Sequence, residues 1–229
     1  AAQIDERFSA YSEHLDIRHK VIFGGVKQNP QVRALQKGLD ILVATPGRLL
    51  DLIGQGFIDL GRVEFFVLDE ADQMLDMGFI RDIRKVLNLL PKRRQNLLFS
   101  ATMPKEIRQV SKRYMREPTE ITIGKMNAAN VNIDHQYYQC QHPYRYEVLK
   151  RNIDFNPDIF GIVFARTKAD AQEIAEKLTR EGYDIDAIHG DLTQAQRDRV
   201  MGAFRTKNIR LLVATDVAAR GIDVQGITH

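Results

Sequence analysis

Two adjacent carboxylates, Asp69 and Glu70, end the apolar run VEFFVLD at residues 63–69. An apolar strand that ends in Asp and Glu has the form of a Walker B element. In such an element the Asp holds Mg²⁺, usually through water, and the Glu orients the attacking water. For an Asp-Glu pair alone, a strand that ends in a solvated acidic turn is the better interpretation. The pair therefore predicts a nucleotide-hydrolysing site only if its neighbours support one.

Hydroxyl groups follow the next apolar run, NLLF, in the sequence Ser100-Ala101-Thr102. Both hydroxyls could exchange hydrogen bonds with Asp72. The alternative is a helix N-cap, because Ser and Thr directly before MPKEI suit that position. Ser100 and Thr102 alone do not decide between a site and a cap.

Two further motifs follow apolar runs nearer the start of the chain. Residues 45–48, TPGR, place a helix N-terminus and Arg48 at a strand end, which suits a phosphate, although capping alone is at least as common. Gly24 and Gly25 follow VIF and would let a backbone approach a ligand closely. Most glycine pairs, however, only turn the chain.

The elements that position these residues are short apolar strands alternating with amphipathic helices. The runs show little polar alternation, which is typical of parallel strands covered on both faces. Ligands bind at the carboxyl ends of such strands. The predicted strands are 19–23, 40–45, 63–69, 96–101, 159–165, 184–189 and 209–216, and the predicted helices are 47–53, 105–115, 144–153, 168–182 and 194–205.

The pattern of strands and helices occurs twice, and a polar stretch separates the two copies. Residues 124–134, GKMNAANVNID, have no apolar period and are predicted to be a linker between domains 1–123 and 135–229. The second domain is expected to open on a strand in HQYYQC, with Tyr137 or Tyr138 facing its core. Stacking of these tyrosines on bases is the alternative.

Composition excludes several classes of protein. A chain with 44% hydrophobic and 28% charged residues is an ordinary globular one, and no apolar stretch reaches the roughly 18 residues of a membrane span. The single cysteine, Cys140, excludes an internal disulfide, so a cytoplasmic location is the simplest expectation. The six histidines show no metal-ligand spacing, and His189 is interpreted as structural. A net charge of +3 permits a polyanionic partner without requiring one.

The order of the motifs is more informative than any single one. GG, TPGR, DEAD and SAT are followed by FARTK (164–168), HGDLTQAQR (189–197) and ATDVAARGID (214–223). This series spans nearly the whole chain and resembles the bacterial-type DEAD-box ATP-dependent RNA helicases of superfamily 2. The resemblance implies two tandem RecA-like α/β domains with parallel sheets, ATP and Mg²⁺ as cofactors, and single-stranded or duplex RNA bound largely without sequence preference.

The resemblance also assigns roles to individual residues. Asp69 would reach Mg²⁺ through water in the family's manner, and Glu70 would activate the hydrolytic water. Asp72 would bond to Ser100 and Thr102 and couple the nucleotide state to domain closure, and Asp223 would face the nucleotide. The residues implied to hold the RNA backbone are Gly24, Gly25, Thr45, Gly47, Arg48, Arg166, Gln194, Arg197 and Thr215.

The sequence departs from the family pattern at both ends. The 229 residues contain no G-x-x-x-x-G-K-[ST] loop, and Gly124-Lys125 is followed by Met126. The chain stops at GITH, before the arginine-rich block of the family. We therefore expect an internal segment of a longer helicase, with both domains incomplete at their outer termini and no ATP hydrolysis by this chain alone.

Two alternatives remain besides an RNA helicase or RNP remodeller. One is a superfamily 2 translocase that acts on DNA, against which the DEAD, TPGR and ARGID spellings argue. The other is a non-catalytic RNA-binding or scaffold module. A comparison of RNA and DNA duplex unwinding distinguishes the DNA translocase from an RNA helicase. A phosphate-binding loop upstream of Ala1 would exclude the non-catalytic module.

Overall fold

A computed structural model describes residues 2–123, 133–219 and 222–229. Contacts within the chain divide it into two compact units, Ala1–Ala128 and Ala129–His229. Most of the predicted linker, residues 124–132, lies outside the described residues, as do Arg220 and Gly221 of the ARGID block. The domain boundaries predicted above therefore stay predictions.

The first unit contains two parallel pairs of strands. β1 (His19–Ile22) pairs with β2 (Ile41–Ala44), and β3 (Phe65–Leu68) pairs with β4 (Gln95–Leu98). The parallel pairing is as predicted. The helices are α1 (Ala2–Tyr11), α2 (Gln28–Gln36), α3 (Pro46–Gly54), α4 (Ala71–Asp76), α5 (Ile80–Leu89) and α6 (Lys105–Tyr114).

The core of the first unit lies where α5 and α6 pack beneath β3. Ile83, Val86 and Leu87 recur at helical spacing along α5 and are buried together with Ile107 and Val110 of α6. Each such side chain contributes about 1.5–3 kcal/mol by leaving water. These two helices therefore hold the strand that carries the acidic pair.

One side of β3 is not covered in this structure. Successive strand residues point to opposite faces, and here Leu68 is buried whereas Phe65 and Val67 are exposed. The expectation of cover on both faces is wrong for this strand, because the described elements pack against one face only.

The second unit is a three-stranded parallel sheet in the order β5-β7-β6, formed by Gly161–Ala165, Leu211–Thr215 and Ile185–Ile188 respectively. Every residue of the central strand β7 is buried. Leu211 and Val213 pack in one apolar cluster, and Leu212 and Ala214 pack in another. Two-sided cover, predicted for parallel strands, is therefore confirmed for β7.

The helices of the second unit are α7 (Arg145–Phe155), α8 (Lys168–Arg180), α9 (Gln194–Arg205) and α10 (Asp216–Ala219), with a 3₁₀ turn at His142–Tyr144.

The segment HQYYQC does not form the expected strand. Tyr137 is 91% exposed and Tyr138 is 59% exposed, and no strand of the described residues pairs with 135–140. The prediction that one tyrosine faces the core is wrong, because without a pairing partner no ladder of hydrogen bonds holds this segment against the sheet.

Among the described residues, no helix has both the length and the apolar character needed to cross a membrane.

Candidate functional site

The acidic pair lies on a tight turn between β3 and α4. Glu70 adopts the left-handed conformation, with φ 51° and ψ 46°, and precedes the first residue of α4. Its N–H donates to Oδ1 of Asp69 at 2.9 Å. For a residue with a Cβ this conformation costs about 1–2 kcal/mol. The turn thus converts the strand directly into a helix and leaves both carboxylates exposed to solvent at the strand end.

The exposed carboxylates suit a magnesium ion that another molecule helps to bind. Neither Asp69 nor Glu70 forms an ion pair with a side chain that the structure describes. The described residues contain no group of three or more His, Cys, Asp or Glu side chains placed to hold a metal by themselves. Mg²⁺ usually takes one or two protein carboxylates and completes its shell with water and substrate phosphates. The residues present therefore fit Mg²⁺ delivered with a nucleotide.

Asp72 is tied to the segment that follows β4. Its Oδ2 accepts hydrogen bonds from the Thr102 hydroxyl at 2.7 Å and from the Thr102 N–H at 2.8 Å. The Asp72 N–H donates to the Ser100 hydroxyl at 3.1 Å, and the Gln73 N–H donates to Oδ1 of Asp72 at 3.0 Å. Burial would raise the pKa of Asp72, but the hydrogen bonds from Thr102, Ser100 and Gln73 together lower it below 3.8. The ionised carboxylate is therefore the form that joins the two segments.

Ser100 and Thr102 do not cap a helix. The next helix, α6, begins at Lys105 and has Pro104 at its N-cap. The capping alternative is therefore wrong for both residues. Their polar groups are instead directed to Asp72, 28 and 30 residues earlier in the chain.

The GG and TPGR motifs share one edge of the β1–β2 pair. Ile22 is in register with Ala44, and the Thr45 N–H donates to the Ile22 carbonyl at 3.1 Å. Gly25 has φ +79°, a conformation that favours glycine, whereas the backbone at Gly24 and Gly47 has no such preference. A Cβ added at Gly24 or Gly47 would meet no atom of the described residues within 4 Å. The missing side chains thus leave open surface beside the N-terminus of α3.

Arg48 turns towards the protein. Its side chain is 14% exposed, its Nη2 donates to the Val26 carbonyl at 3.3 Å, and its Nε lies 3.7 Å from Oδ2 of Asp51. The remaining nitrogen, Nη1, is buried and finds no hydrogen-bond partner among the residues that the structure describes. Thr45 precedes α3 as predicted, although its hydroxyl makes no capping bond. Arg48 therefore joins the end of the GG loop to α3, and the two N–H groups of Nη1 are left over.

In the second unit, the strand ends bring Arg166 and Thr215 to one edge of the sheet. Ala165 is in register with Thr215. Arg166 follows directly and is exposed, whereas Thr215 is buried. Asp223 is exposed in the last described segment.

The HGDLTQAQR motif forms the start of α9. Thr193 caps the helix through a capping box, which explains why the predicted helix bounds match those observed. Gln194 donates to Oδ1 of Asp198 at 2.8 Å. Arg197 donates from Nη2 to the Ala218 carbonyl at 3.4 Å, at the end of α10. Like Arg48, Arg197 reaches the backbone of a neighbouring motif.

His189 is buried at the end of β6. Its Nε2 lies 3.0 Å from Oε1 of Gln172 on α8, and its Nδ1 is buried with no hydrogen-bond partner in the described part of the chain. The next acidic residue, Asp191, pairs with Lys168 at 2.6 Å. These contacts link the HGD turn to the start and first turns of α8.

One polar residue at the GG edge was missed by sequence reasoning. Gln31 is buried in α2 and hydrogen-bonds to the backbone of Phe23 and Lys27. The helix itself was not predicted from QNPQVRALQ, because Val32 and Leu35 are too few to define an apolar stripe. A signal was nevertheless present: a glutamine lies a short distance after a glycine pair.

Comparison with known proteins gives matches in both units. A family model described as DEAD/DEAH box helicase matches residues 1–110, and one described as helicase conserved C-terminal domain matches residues 144–229. The chain is 45% identical over 229 residues to the DEAD-box ATP-dependent RNA helicase CshA of Bacillus cereus, which covers all of this chain and 44% of that relative. The chain thus spans about half the length of the curated relatives it matches.

Solved structures agree with these matches. The chain is similar to S. cerevisiae Dbp5 bound to RNA and ADP BeF3, with 30% identity and a TM-score of 0.85 over 99% of this chain and 57% of that one. It is also similar to a DEAD box protein from the hyperthermophile Methanococcus jannaschii, with 42% identity and a TM-score of 0.52 over 99% of this chain and 61% of that one. The predicted fold, two tandem RecA-like α/β domains with parallel sheets, is confirmed.

Proposed function

The chain belongs to the DEAD-box family of helicases, and we propose that the natural protein that carries it is an ATP-dependent RNA helicase or RNP remodeller. The observation that supports this most is the turn after β3. It exposes Asp69 and Glu70 to solvent and, within a few residues, ties Asp72 to Thr102. A solvated acidic turn with no further role would not need that second connection.

In the proposed reaction, ATP with Mg²⁺ supplies the phosphoanhydride bond that water cleaves. Asp69 would hold Mg²⁺, whose charge would stabilise the phosphate oxygens, and an exposed carboxylate that is not committed to an ion pair with the described side chains suits this role. Glu70 orients the attacking water and accepts its proton. The left-handed turn at Glu70 keeps the two carboxylates on one short segment.

Asp72 is proposed to couple the nucleotide to the rest of the protein. It lies two residues after Glu70, and it is bonded to both polar groups of Thr102. A displacement of the acidic turn would therefore move the Ser100–Thr102 segment as well. In this proposal the coupling acts on closure of the two domains.

RNA is proposed to bind at strand-end motifs in both domains. In the first domain the open surface at Gly24 and Gly47 supports a close approach of the sugar–phosphate backbone. Contacts of this kind carry no base sequence, and 2′-hydroxyl contacts would select RNA over DNA. The proposed RNA-binding residues are Gly24, Gly25, Thr45, Gly47, Arg48, Arg166, Gln194, Arg197 and Thr215, and Asp223 is proposed to face the nucleotide.

The proposed cycle requires only a difference in affinity between two states. ATP favours the closed pair of domains, the closed faces bind a bent single strand better than a duplex, and hydrolysis reopens them. The proposed location is the cytoplasm. We further propose that these 229 residues alone do not hydrolyse ATP, since their sequence holds no G-x-x-x-x-G-K-[ST] loop. Mg²⁺-dependent turnover by this chain would overturn that last point.

Duplex unwinding by the natural protein tests the proposal. A short RNA duplex and a DNA duplex of the same sequence are compared with ATP present and absent. We expect ATP-dependent separation of the RNA duplex and little separation of the DNA duplex. Preferential unwinding of DNA would support the translocase alternative, and RNA binding without any unwinding would support the scaffold alternative.

A further inference from the structure

One buried side chain holds both ends of the loop that carries the glycine pair. Gln31, 5% exposed on α2, donates from Nε2 to the carbonyls of Phe23 at 3.2 Å and Lys27 at 3.4 Å. Its Oε1 accepts the Phe23 N–H at 3.2 Å. Gly24 and Gly25 lie between the two anchored residues.

No other side chain of this size supplies the same set of bonds. A glutamine amide has two N–H donors and one carbonyl acceptor, and Gln31 uses all three in bonds to the loop backbone. Glutamate would keep the acceptor and lose the donors. Methionine has nearly the same length and shape but keeps neither. The amide group of Gln31 therefore matches the hydrogen-bonding groups of the loop backbone, and the side chain does more than fill space beside α2.

The loop is also held by a side chain from a second helix. Nη2 of Arg48, on α3, donates to the Val26 carbonyl at 3.3 Å. Side chains thus bind the carbonyls of Phe23, Val26 and Lys27. Between these anchors a Cβ added at Gly24 or Gly25 would meet no atom within 4 Å. The loop backbone is fixed at three points while its glycine surface stays open.

We propose that Gln31 is a positioning residue, which holds the Gly24–Gly25 backbone in the conformation that receives an RNA sugar–phosphate chain. This inference rests on the proposed function. Without Gln31 the loop must be ordered when RNA binds, and the cost of ordering lowers affinity. Ordering the backbone of one residue costs about 1.4 kcal/mol of binding free energy, which corresponds to about a tenfold loss of affinity.

The test compares Gln31→Met with the wild-type chain. The matched control is Gln28→Met, the same change on the same helix, where the lost partner is the side chain of Gln55 instead of the loop. Binding of labelled oligo(U) RNA by the full chain is measured over a range of salt concentrations. We expect Gln31→Met to weaken binding about tenfold. The dependence of log Kd on log salt should be unchanged, since Gln31 neutralises no phosphate.

A second measurement separates positioning from general damage. Hydrogen exchange without RNA should accelerate in residues 23–27 in Gln31→Met and not in Gln28→Met, with protection of α5 and α6 retained. Gln31→Asn keeps an uncharged amide on a side chain one methylene shorter and should show an intermediate effect on both readouts, which also provides a test if Gln31→Met fails to fold.

The outcomes distinguish the inference from the proposed function. If the wild-type chain binds no RNA, the proposed RNA site is wrong and this inference fails with it. If the wild type binds and both Gln31 variants bind equally well while their loop exchanges faster, the proposed function stands and the inference alone is overturned. A reduced salt slope in Gln31→Met would contradict positioning, because it would mean that phosphate contacts had been lost.

Discussion

The bond between Thr102 and Asp72 makes a direct prediction about stability. Thr102→Val keeps the shape of the side chain and removes its hydroxyl, which donates to Oδ2 of Asp72 at 2.7 Å. The backbone N–H of Thr102 still donates to the same oxygen at 2.8 Å. The substitution therefore removes one charged hydrogen bond of the pair and leaves the other in place.

The expected loss follows from the charge and the exposure of this bond. A hydrogen bond to a charged group contributes about 1.5–3 kcal/mol, and the partial exposure of Asp72 reduces the contribution of this one to about 1–1.5 kcal/mol. The same bond helps to lower the pKa of Asp72 below 3.8, against the effect of burial, so the variant should raise that pKa. A lowered pKa stabilises the fold above pH 3.8, and this stability is lost as pH falls through the folded-state value.

Urea unfolding at neutral and acidic pH is the assay. Hydrogen exchange of α4 and α6 serves as the signal, so that the first unit is followed by itself. Thr102→Val should unfold at lower urea at neutral pH, and the deficit should shrink well below pH 3.8. Thr45→Val is the matched control, because the Thr45 hydroxyl makes no capping bond. An unchanged midpoint for Thr102→Val, or a deficit that persists in acid, would refute this reasoning.

Three further predictions concern the second unit. Burial and the hydrogen bond to Glu181 raise the pKa of Tyr146 from 10.0 to about 12, so stability should fall between those two pH values, and Tyr146→Phe should reduce that fall in an alkaline unfolding series. Phe204→Ala should cost about 3–5 kcal/mol in urea unfolding, since Phe204 is fully buried and its ring lies 4.6 Å from that of Phe160. Thr193→Ala breaks the capping box of α9 and should cost about 1 kcal/mol in the same assay. The first prediction is contradicted if Tyr146→Phe loses as much stability as the wild type between pH 10 and 12. The second is contradicted if Phe204→Ala lowers the free energy of unfolding by less than Thr193→Ala does. The third is contradicted if Thr193→Ala is as stable as the wild type.

Local sequence signals predicted the elements that carry the motifs. Apolar runs located all seven strands that the structure describes, although two-sided burial explains continuous apolarity for β7 and not for β3. The helix at 194–205 was predicted at both ends, since Thr193 begins it with a local cap. α5 was missed although Ile83, Val86 and Leu87 lie at helical spacing.

Other features depended on contacts that no local pattern contains. Thr102 is as good a cap as it is a partner for Asp72, and only the placement of β4 beside β3 decides between the two. HQYYQC has the composition of a strand, but no strand among the residues described here pairs with it. The inward turn of Arg48 depends on the position of Val26, 22 residues earlier.

RNA-stimulated ATP hydrolysis by the natural protein tests the central claim most directly. Glu70→Gln is compared with wild type and with Glu64→Gln, the same substitution at the exposed residue directly before β3. If Glu70 activates the water, turnover should fall by about 10²–10⁴ in Glu70→Gln. The Glu64→Gln variant should hydrolyse ATP as the wild type does, and both variants should still bind RNA. Wild-type turnover in Glu70→Gln, or an equal loss in both variants, would contradict the role assigned to the acidic pair.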